Sequence, residues 1–418
     1  MSAVPLDVDA PIVSNRGADK TSNKAAFSDN VYCQTIVDFA DATVLVVRVT
    51  PDGKYWIAGL RNGRIKLMPT IGDPNSNIQE LQVDEDCTSC VDIQCVPPLS
   101  SFSSEKNHRL IAVYASGAVR VWYYTGATPE SRLLATHREY TVQNQEDGRR
   151  FSRRAMFNQL LACSCSPDAR RFVTGGDDCH IRVYDLEQQE PVRTLGLSCA
   201  SDRVDGHVMR ICALKYHPRG SEDEEYSHVF VSGGWDDTVH VWDDRFEHSL
   251  WMFAGPHISG SDALDIEPFS NTILTSSWRH DKTLLQVWKF SDRILSQIRG
   301  NTGTLDGESN NTDSSTMRIE EVIREKPIAE IPQESFEVRS KGYVAKWIGD
   351  GYIAFGGSDA NVLRIMTRGK PRTVATVSDI PNGVFSLAYI PLSDDVKKPI
   401  QMAFAAGPKV YIIRLDQK

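Results

Sequence analysis

The sequence predicts an all-β fold in which a four-stranded antiparallel unit recurs seven times and closes into a ring. Two observations support this prediction. A strand that runs into a turn recurs along the 418 residues, and each copy is followed by a strand of small residues and then by an alternating strand. A single unit of this kind cannot bury both of its faces, so neighbouring copies must cover them.

The first strand of each unit is recognised by the turn that ends it. Pro, Asp and Gly are typical of such turns because they fix or widen the accessible backbone angles. The seven strand ends lie at residues 49–53, 95–97, 165–168, 216–218, 266–268, 347–351 and 389–391. Second strands follow at 57–59, 112–114, 173–175, 231–233, 274–276, 354–356 and 403–405, and third strands follow these, for example at 119–122, 181–184 and 285–288.

Fourth strands are weaker, and only six follow a third strand. They are predicted at residues 78–83, 132–136, 191–197, 249–254, 293–298 and 372–377. The last strand of the chain, at 411–415, is a third strand, so the seventh unit lacks its outer strand. Residues 31–37 alternate like a strand and precede the first unit. We therefore predict that they complete the last unit, which leaves no open sheet edge.

The remaining residues form a tail and two insertions. Residues 1–29 are polar and aperiodic, which predicts a disordered tail, and residues 30–418 form a single domain. Insertions are predicted at about 137–158 and 300–335, the second with a short helix at 316–326. Both are assigned to connections between a fourth strand and the next first strand. We call the face that carries these connections and the second-to-third-strand turns the top face.

One unit is better preserved than the others. A Gly-His pair ending at His207 begins it and a Trp-Asp pair starting at Trp242 ends it, with 34 residues between these two side chains. This pattern resembles the WD repeat. The resemblance implies that the units are blades of a seven-bladed β-propeller, and that His207, Ser232, Asp236 and Trp242 form a buried hydrogen-bond network. Since buried polar groups need partners, we interpret this network as structural.

Composition excludes several classes of function. The formal net charge of −9 disfavours nucleic-acid and anionic-membrane partners. No apolar run is long enough to span a bilayer, and the first residues lack the apolar core of a secretion signal. The nine cysteines are an odd number and are interpreted as mostly reduced thiols. We expect a cytoplasmic or nuclear protein.

Motifs for catalysis or metal binding are missing from the sequence. It contains no phosphate-binding loop, no His-Glu-x-x-His and no Gly-x-Ser-x-Gly. Cys87, Cys90 and Cys95 resemble part of a zinc site, but no second Cys-x-x-Cys supplies the other ligands, and buried Cys also packs as a small apolar side chain. We expect no enzyme activity, no metal and no cofactor.

Two tryptophans suggest a binding surface on the top face. Trp235 and Trp278 occupy matching second-to-third-strand turns of neighbouring units. Trp and Arg are the residues that most often anchor protein partners. The alternative is that each Trp only packs against the next blade. Other candidate binding residues at comparable turns are Arg61, Asp177, Arg279, His280 and Asp359.

A second candidate site lies on the opposite, bottom face. The tetrapeptide from Trp242 to Arg245 resembles a box found in substrate receptors of cullin-RING ubiquitin ligases. The resemblance implies that Asp243 and Arg245 contact the ligase adaptor, with Arg245 able to pair with an adaptor carboxylate. The acidic segment 222–225 is expected on the same face, where it could compensate this arginine.

Residues 149–154 form a dense basic cluster that resembles a site for basophilic kinases, with Ser152 as candidate phosphosite, or a nuclear import signal. A solvated charged loop is the simpler alternative.

Two hypotheses of function remain. The first is a non-enzymatic scaffold, monomeric within a larger complex, that binds a peptide or protein on its top face. The alternative is a substrate receptor of a cullin-RING ligase.

Overall fold

The computed structural model describes residues 25–40, 42–83, 86–98, 108–124, 131–147, 150–198, 204–279, 283–301, 325–333, 339–390 and 399–416. The described residues form seven antiparallel sheets, which we call blades 1 to 7 in chain order, and a separate two-stranded hairpin. The alternating strands of the sequence thus form the predicted all-β propeller.

The strands of each blade are given from the first, innermost strand outwards. Blade 1 comprises Val44–Val49, Tyr55–Leu60, Ile65–Pro69 and Gln79–Leu81, and blade 2 comprises Cys90–Cys95, His108–Tyr114, Ala118–Tyr124 and Arg132–Arg138. Blade 3 comprises Leu160–Cys165, Arg171–Gly176, Ile181–Asp185 and Glu190–Leu195, and blade 4 comprises Ile211–Tyr216, Val229–Gly234, Thr238–Asp243 and Trp251–Ala254. Blade 5 comprises Leu264–Glu267, Thr272–Ser276, Thr283–Lys289 and Ala329–Pro332. Blade 6 comprises Lys341–Ile348, Tyr352–Ser358, Val362–Thr367, Thr373–Ser378 and Ala26–Phe27. Blade 7 comprises Val384–Tyr389, Ile400–Ala406, Lys409–Leu415 and Val31–Asp38.

The first strands of the seven blades form a closed ring around a central channel. Each first strand contacts the first strands of the two neighbouring blades, and blade 7 contacts blade 1. The apolar core lies between blades rather than at the centre. Trp56 of blade 1, for example, is 1 % exposed and belongs to the same apolar cluster as Ala403 and Val410 of blade 7. Full burial of each large apolar side chain contributes about 1.5–3 kcal/mol.

The N-terminal strand closes the ring, as predicted. Val31–Asp38 pairs antiparallel with Lys409–Leu415, and Val37 lies opposite Val410. The short strand Ala26–Phe27, within the segment predicted as a tail, pairs with Thr373–Ser378 and gives blade 6 a fifth strand. Residues 1–24 of that segment lie outside the described residues.

The predicted outer strand of blade 5 at residues 293–298 is wrong. Asp292–Asn301 is an α-helix, and the outer strand is Ala329–Pro332. Ile294 and Ile298 are one helical turn apart and both are buried, and the Ser291 hydroxyl accepts from the Ile294 N–H at 3.4 Å and caps the helix. No helix among the described residues has the length and apolar character needed to cross a bilayer.

This helix changes the position of the second insertion. Residues 290–328 connect the third and fourth strands of blade 5 and therefore leave the sheet on the bottom face, not on the top face. The contact between Arg299 and Glu225, 3.5 Å apart, agrees with this placement because Glu225 follows a first strand. The helix predicted at 316–326 lies almost entirely outside the described residues.

The other insertion leaves the top face between blades 2 and 3. It is a hairpin of strands Tyr140–Asp147 and Arg150–Phe157. Ser152, the candidate phosphosite, lies in the second strand opposite Gln145. Modification at this position stays a prediction.

Candidate functional site

The four polar side chains of blade 4 meet in one buried network. His207 Nε2 lies 2.7 Å from Ser232 Oγ, and Ser232 Oγ accepts from the Trp242 indole N–H at 2.7 Å. His207 Nδ1 lies 2.9 Å from Asp236 Oδ2. The carboxylate places the ring proton on Nδ1, so the serine hydroxyl donates to Nε2. The network thus connects the third strand to the turn that carries Trp235.

The ionised form of Asp236 is held by its neighbours. Burial alone would raise its pKa, but the hydrogen bonds from His207 and Thr238, together with the nearby imidazole, hold that pKa below its usual value. Thr238 donates to Asp236 Oδ1 at 2.7 Å. Every bond in the network stays within blade 4. The network therefore has the role of fixing the turn between the second and third strands of that blade.

Blades 2 and 3 contain related networks that the sequence did not reveal. Glu139 accepts from Tyr184 Oη at 2.8 Å and pairs with Arg182 at 2.8 Å. Asp86 accepts from Ser116 Oγ at 2.7 Å and pairs with Arg120 at 2.7 Å. In both blades a carboxylate replaces the histidine of blade 4. A search for Gly-His pairs cannot find these networks, because the chemistry is kept while the residue type changes.

Trp235 and Trp278 stack on the top face. Their ring centroids are 6.4 Å apart with an interplanar angle of 20°. His257 lies beside both rings, at 5.6 Å from the first and 5.9 Å from the second. The Trp235 indole donates to Ser259 Oγ at 3.2 Å, and both indoles are half-buried. The two turns therefore present one continuous aromatic surface.

A cation covers each end of this aromatic pair. Arg210 lies over the Trp235 ring at 4.3 Å, and Lys341 lies over the Trp278 ring at 4.7 Å. Each cation is paired with an acid further along the rim, Arg210 with Asp177 at 2.9 Å and Lys341 with Asp359 at 3.6 Å. We call the resulting series the top-face arc: Asp177, Arg210, Trp235, Trp278, Lys341 and Asp359.

Other candidate residues of the top face lie beside the arc or outside it. Arg279 pairs with Asp237 at 2.7 Å, and the same carboxylate contacts His257 at 2.8 Å, so Arg279 borders the arc. Arg61 is exposed at the corresponding turn of blade 1, and blade 2 separates it from the arc. His280 lies outside the described residues. Arg210 and Lys341 were missed because they precede or begin first strands instead of lying in turns.

On the bottom face, Arg245 is bound to a neighbour in its own motif. Its Nε and one terminal nitrogen donate to the two carboxylate oxygens of Asp243, at 2.9 and 2.7 Å. The Asp243 side chain is fully buried, whereas 22 % of the arginine side chain is exposed. The acidic segment 222–225 does lie on the bottom face, where Asp223 pairs with Arg219 at 2.7 Å. The guanidinium of Arg245 thus pairs with Asp243 and not with the acidic segment.

A buried ion network crosses the central channel. Arg48 of blade 1 contacts Asp92 at 2.6 Å and Asp262 at 2.9 Å. Asp262, which precedes blade 5, also contacts Lys346 of blade 6 at 2.8 Å and accepts from the Leu387 N–H at 3.1 Å. These side chains join blades on opposite sides of the channel, and their charges are matched within the network.

Comparison with known proteins places two of these blades in a family. The model of the WD domain, G-beta repeat, matches residues 157–185 and 197–243, which span most of blade 3 and the first three strands of blade 4. No curated protein matches the chain by sequence. The matched segments include the network of His207, Ser232, Asp236 and Trp242, and five further antiparallel blades, four with four strands and blade 6 with five, complete the ring. The chain belongs to the WD-repeat β-propeller family.

Proposed function

We propose that this protein is a non-enzymatic scaffold that binds a peptide or protein partner on the top-face arc. WD-repeat propellers generally serve as scaffolds for protein interactions and are typically not enzymes. The observation that supports the specific surface is the stacked pair of Trp235 and Trp278. Both indoles are half-buried and both are already fixed by contacts within the protein.

Pre-ordered aromatic rings favour binding for a thermodynamic reason. A partner that contacts them loses little additional side-chain entropy, because stacking and the indole hydrogen bonds have already restricted both rings. Packing against the neighbouring blade explains the hydrogen bonds of Trp235 and Trp278, but it leaves part of each ring in water. Large aromatic side chains in such positions are typical of binding hot spots.

The charges of the arc indicate what kind of partner fits. Along the rim the order is acid, cation, two aromatic rings, cation and acid. A segment with an apolar or aromatic side chain at its centre would cover the rings. Polar groups on either side of that side chain would contact the charged pairs. Such contacts determine the orientation of the partner and its association rate more than its affinity.

Substitution of both rings tests this proposal. We expect Trp235→Ala combined with Trp278→Ala to remove a defined set of partners in proximity labelling and in pull-down experiments. Tyr32→Ala combined with Ile36→Ala is the matched control, because both large side chains are exposed on the outer strand of blade 7, away from the top-face arc. An unchanged partner set, with the double variant still folded, would exclude the top-face arc.

A second candidate function is that of a substrate receptor of a cullin-RING ligase. It is favoured by the partly exposed Arg245 guanidinium, which Asp243 holds in one orientation on the bottom face. Co-purification of the cullin adaptor with the wild-type chain should then be lost on Arg245→Ala. Arg245→Lys should also weaken it, since an ammonium cannot form the paired hydrogen bonds. If the adaptor is missing from the wild-type complex, this function is excluded.

A further inference from the structure

The bottom end of the channel contains a cavity that the proposed function does not use. Its volume is about 430 Å³, and its rim is formed by turns that follow first strands, including Pro218, Phe269 and Gly349. This volume lies within the range of pockets that bind small ligands or single peptide side chains. The cavity is thus on the face opposite to the top-face arc.

Three cations from three blades line this cavity. They are Arg48 of blade 1, Lys215 of blade 4 and Lys346 of blade 6. Their side chains are 11, 33 and 14 % exposed, whereas Asp262 and Asp92, which pair with Arg48 and Lys346 from inside the channel, are only 1 and 2 % exposed. A group that enters the cavity therefore meets the cations and not these two carboxylates.

One carboxylate shares the floor with the cations. Asp265 is 11 % exposed and lies 3.5 Å from Lys215 Nζ, and its other oxygen accepts from the Trp347 N–H at 3.0 Å. Three cations thus face one acid on the floor. Burial lowers the pKa of Lys346, and the neighbouring Arg48 and Lys215 lower it further although Asp262 opposes them. An additional negative charge near Lys346 would therefore be favourable.

The walls of the cavity are apolar. Phe269 is 73 % exposed at the rim, and Trp347 and Tyr389 line the side. An exposed phenylalanine beside a cationic floor suits a ligand that carries an apolar group next to an anion.

Acids in the lining restrict the type of anion. Glu267 and Asp350 belong to the lining of the cavity; Asp350 is exposed, whereas Glu267 is buried and paired with Arg368 at 3.2 Å. With the formal net charge of −9, these carboxylates disfavour a polyanion such as a nucleic acid. A single carboxylate on a neutral backbone carries one charge and meets much less of this repulsion than a polyanion does.

We propose that the cavity binds an acidic peptide segment, in which an Asp or Glu carboxylate contacts Lys215 and Lys346 and the adjacent apolar side chain packs on Phe269. The segment enters from the bottom face. The site is independent of the top-face arc and would allow the scaffold to hold a second partner.

Two matched peptide pools test this site. In the first pool, capped hexapeptides carry Asp or Glu at one position and Phe or Leu at the next, with the other positions randomised. In the second pool, Asn or Gln replaces the acid. We expect the immobilised full chain to retain the acidic pool about ten-fold better, as is typical for hydrogen bonds to a charged group.

Substitutions then assign the retention to the cavity. Lys215→Met should abolish the preference for the acidic pool, Lys215→Arg should keep it, and Phe269→Ala should weaken retention of the acidic pool. The Trp235→Ala, Trp278→Ala double variant removes any retention by the top-face arc and should keep the preference for the acidic pool, so failure on one face is distinguishable from failure on the other. Equal retention of both pools, or an unchanged preference in a folded Lys215→Met variant, would overturn the proposal.

Discussion

Trp278 donates its indole N–H to the hydroxyl of Tyr343 over 2.7 Å, and this bond joins a turn of blade 5 to the first strand of blade 6. Tyr343 in turn meets Phe385 of blade 7 edge to face, with ring centroids 4.9 Å apart. Trp278 is therefore fixed by a neighbouring blade, which restricts the ring before any partner binds.

Tyr343→Phe should weaken partner binding while leaving the fold intact. Loss of one hydrogen bond costs about 1 kcal/mol of stability and removes one of the contacts that restrict the Trp278 ring. Denaturant unfolding and quantitative pull-down measure the two effects. Tyr32→Phe is the matched control, because Tyr32 is 48 % exposed on the outer strand of blade 7 and should change neither quantity. Equal partner retention by both variants would show that the bond to Tyr343 does not support binding.

Ser232→Ala should destabilise the protein more than an ordinary serine substitution. The hydroxyl contacts both His207 and Trp242, so its loss leaves two buried polar groups without this partner. We expect a decrease of about 2–6 kcal/mol in the free energy of unfolding, at about 1–3 kcal/mol for each such group. Ser296→Ala, at an exposed helix position, should change it by less than about 0.5 kcal/mol. Similar values for the two variants in denaturant unfolding would contradict the structural role of the network.

Acidification should destabilise the fold through His217. Burial lowers the pKa of this imidazole from 6.5 to about 4, and its Nε2 lies 3.0 Å from Asn271 Oδ1. Because the folded pKa is below the unfolded one, protons bind the unfolded state better. The contribution of His217 is complete above pH 6.5 and is lost as the pH falls towards 4, by about 2 kcal/mol at pH 5.

His217→Gln isolates this effect, since the amide does not titrate. The difference in unfolding free energy between pH 7 and pH 5 should be smaller in the variant by about 2 kcal/mol. An unchanged pH dependence would show that His217 is not held neutral.

Arg48→Met should cost several kcal/mol, because it leaves Asp92 and Asp262 in the channel without their shared cation. Removing one partner of a buried ion pair typically costs about 3–5 kcal/mol. Lys409→Met breaks a partly exposed pair with Asp38 and should cost less than about 1 kcal/mol. If denaturant unfolding gives the same loss for both variants, the channel network does not hold the blades together.

Local patterns predicted most of the fold. Strand alternation has a period of two and is visible in short segments, so blade number and the closing strand at Val31–Asp38 followed from the sequence. The helix Asp292–Asn301 was missed because Ile294, Leu295 and Ile298 also fit a short apolar strand, and only their spacing of about one helical turn separates the two interpretations.

The site was only partly predictable, for a geometric reason. Trp235 and Trp278 were found because they occupy equivalent turns. Arg210 and Lys341, which cover the two rings, come from other positions in the repeat and meet the aromatic pair only in the folded ring. The ion pair between Arg48 and Asp262 joins residues 214 positions apart, a separation at which no sequence motif operates.

Photo-crosslinking from the top face tests the central proposal most directly. A photoreactive residue replaces Val208, which is 58 % exposed beside Arg210, and in a second protein it replaces Ile36, which is 43 % exposed on the outer strand of blade 7. The account predicts a crosslinked partner from position 208 that disappears when Trp235 and Trp278 are both alanine, and no such product from position 36. A partner captured at position 36 alone, or one captured at 208 regardless of the two tryptophans, would contradict it.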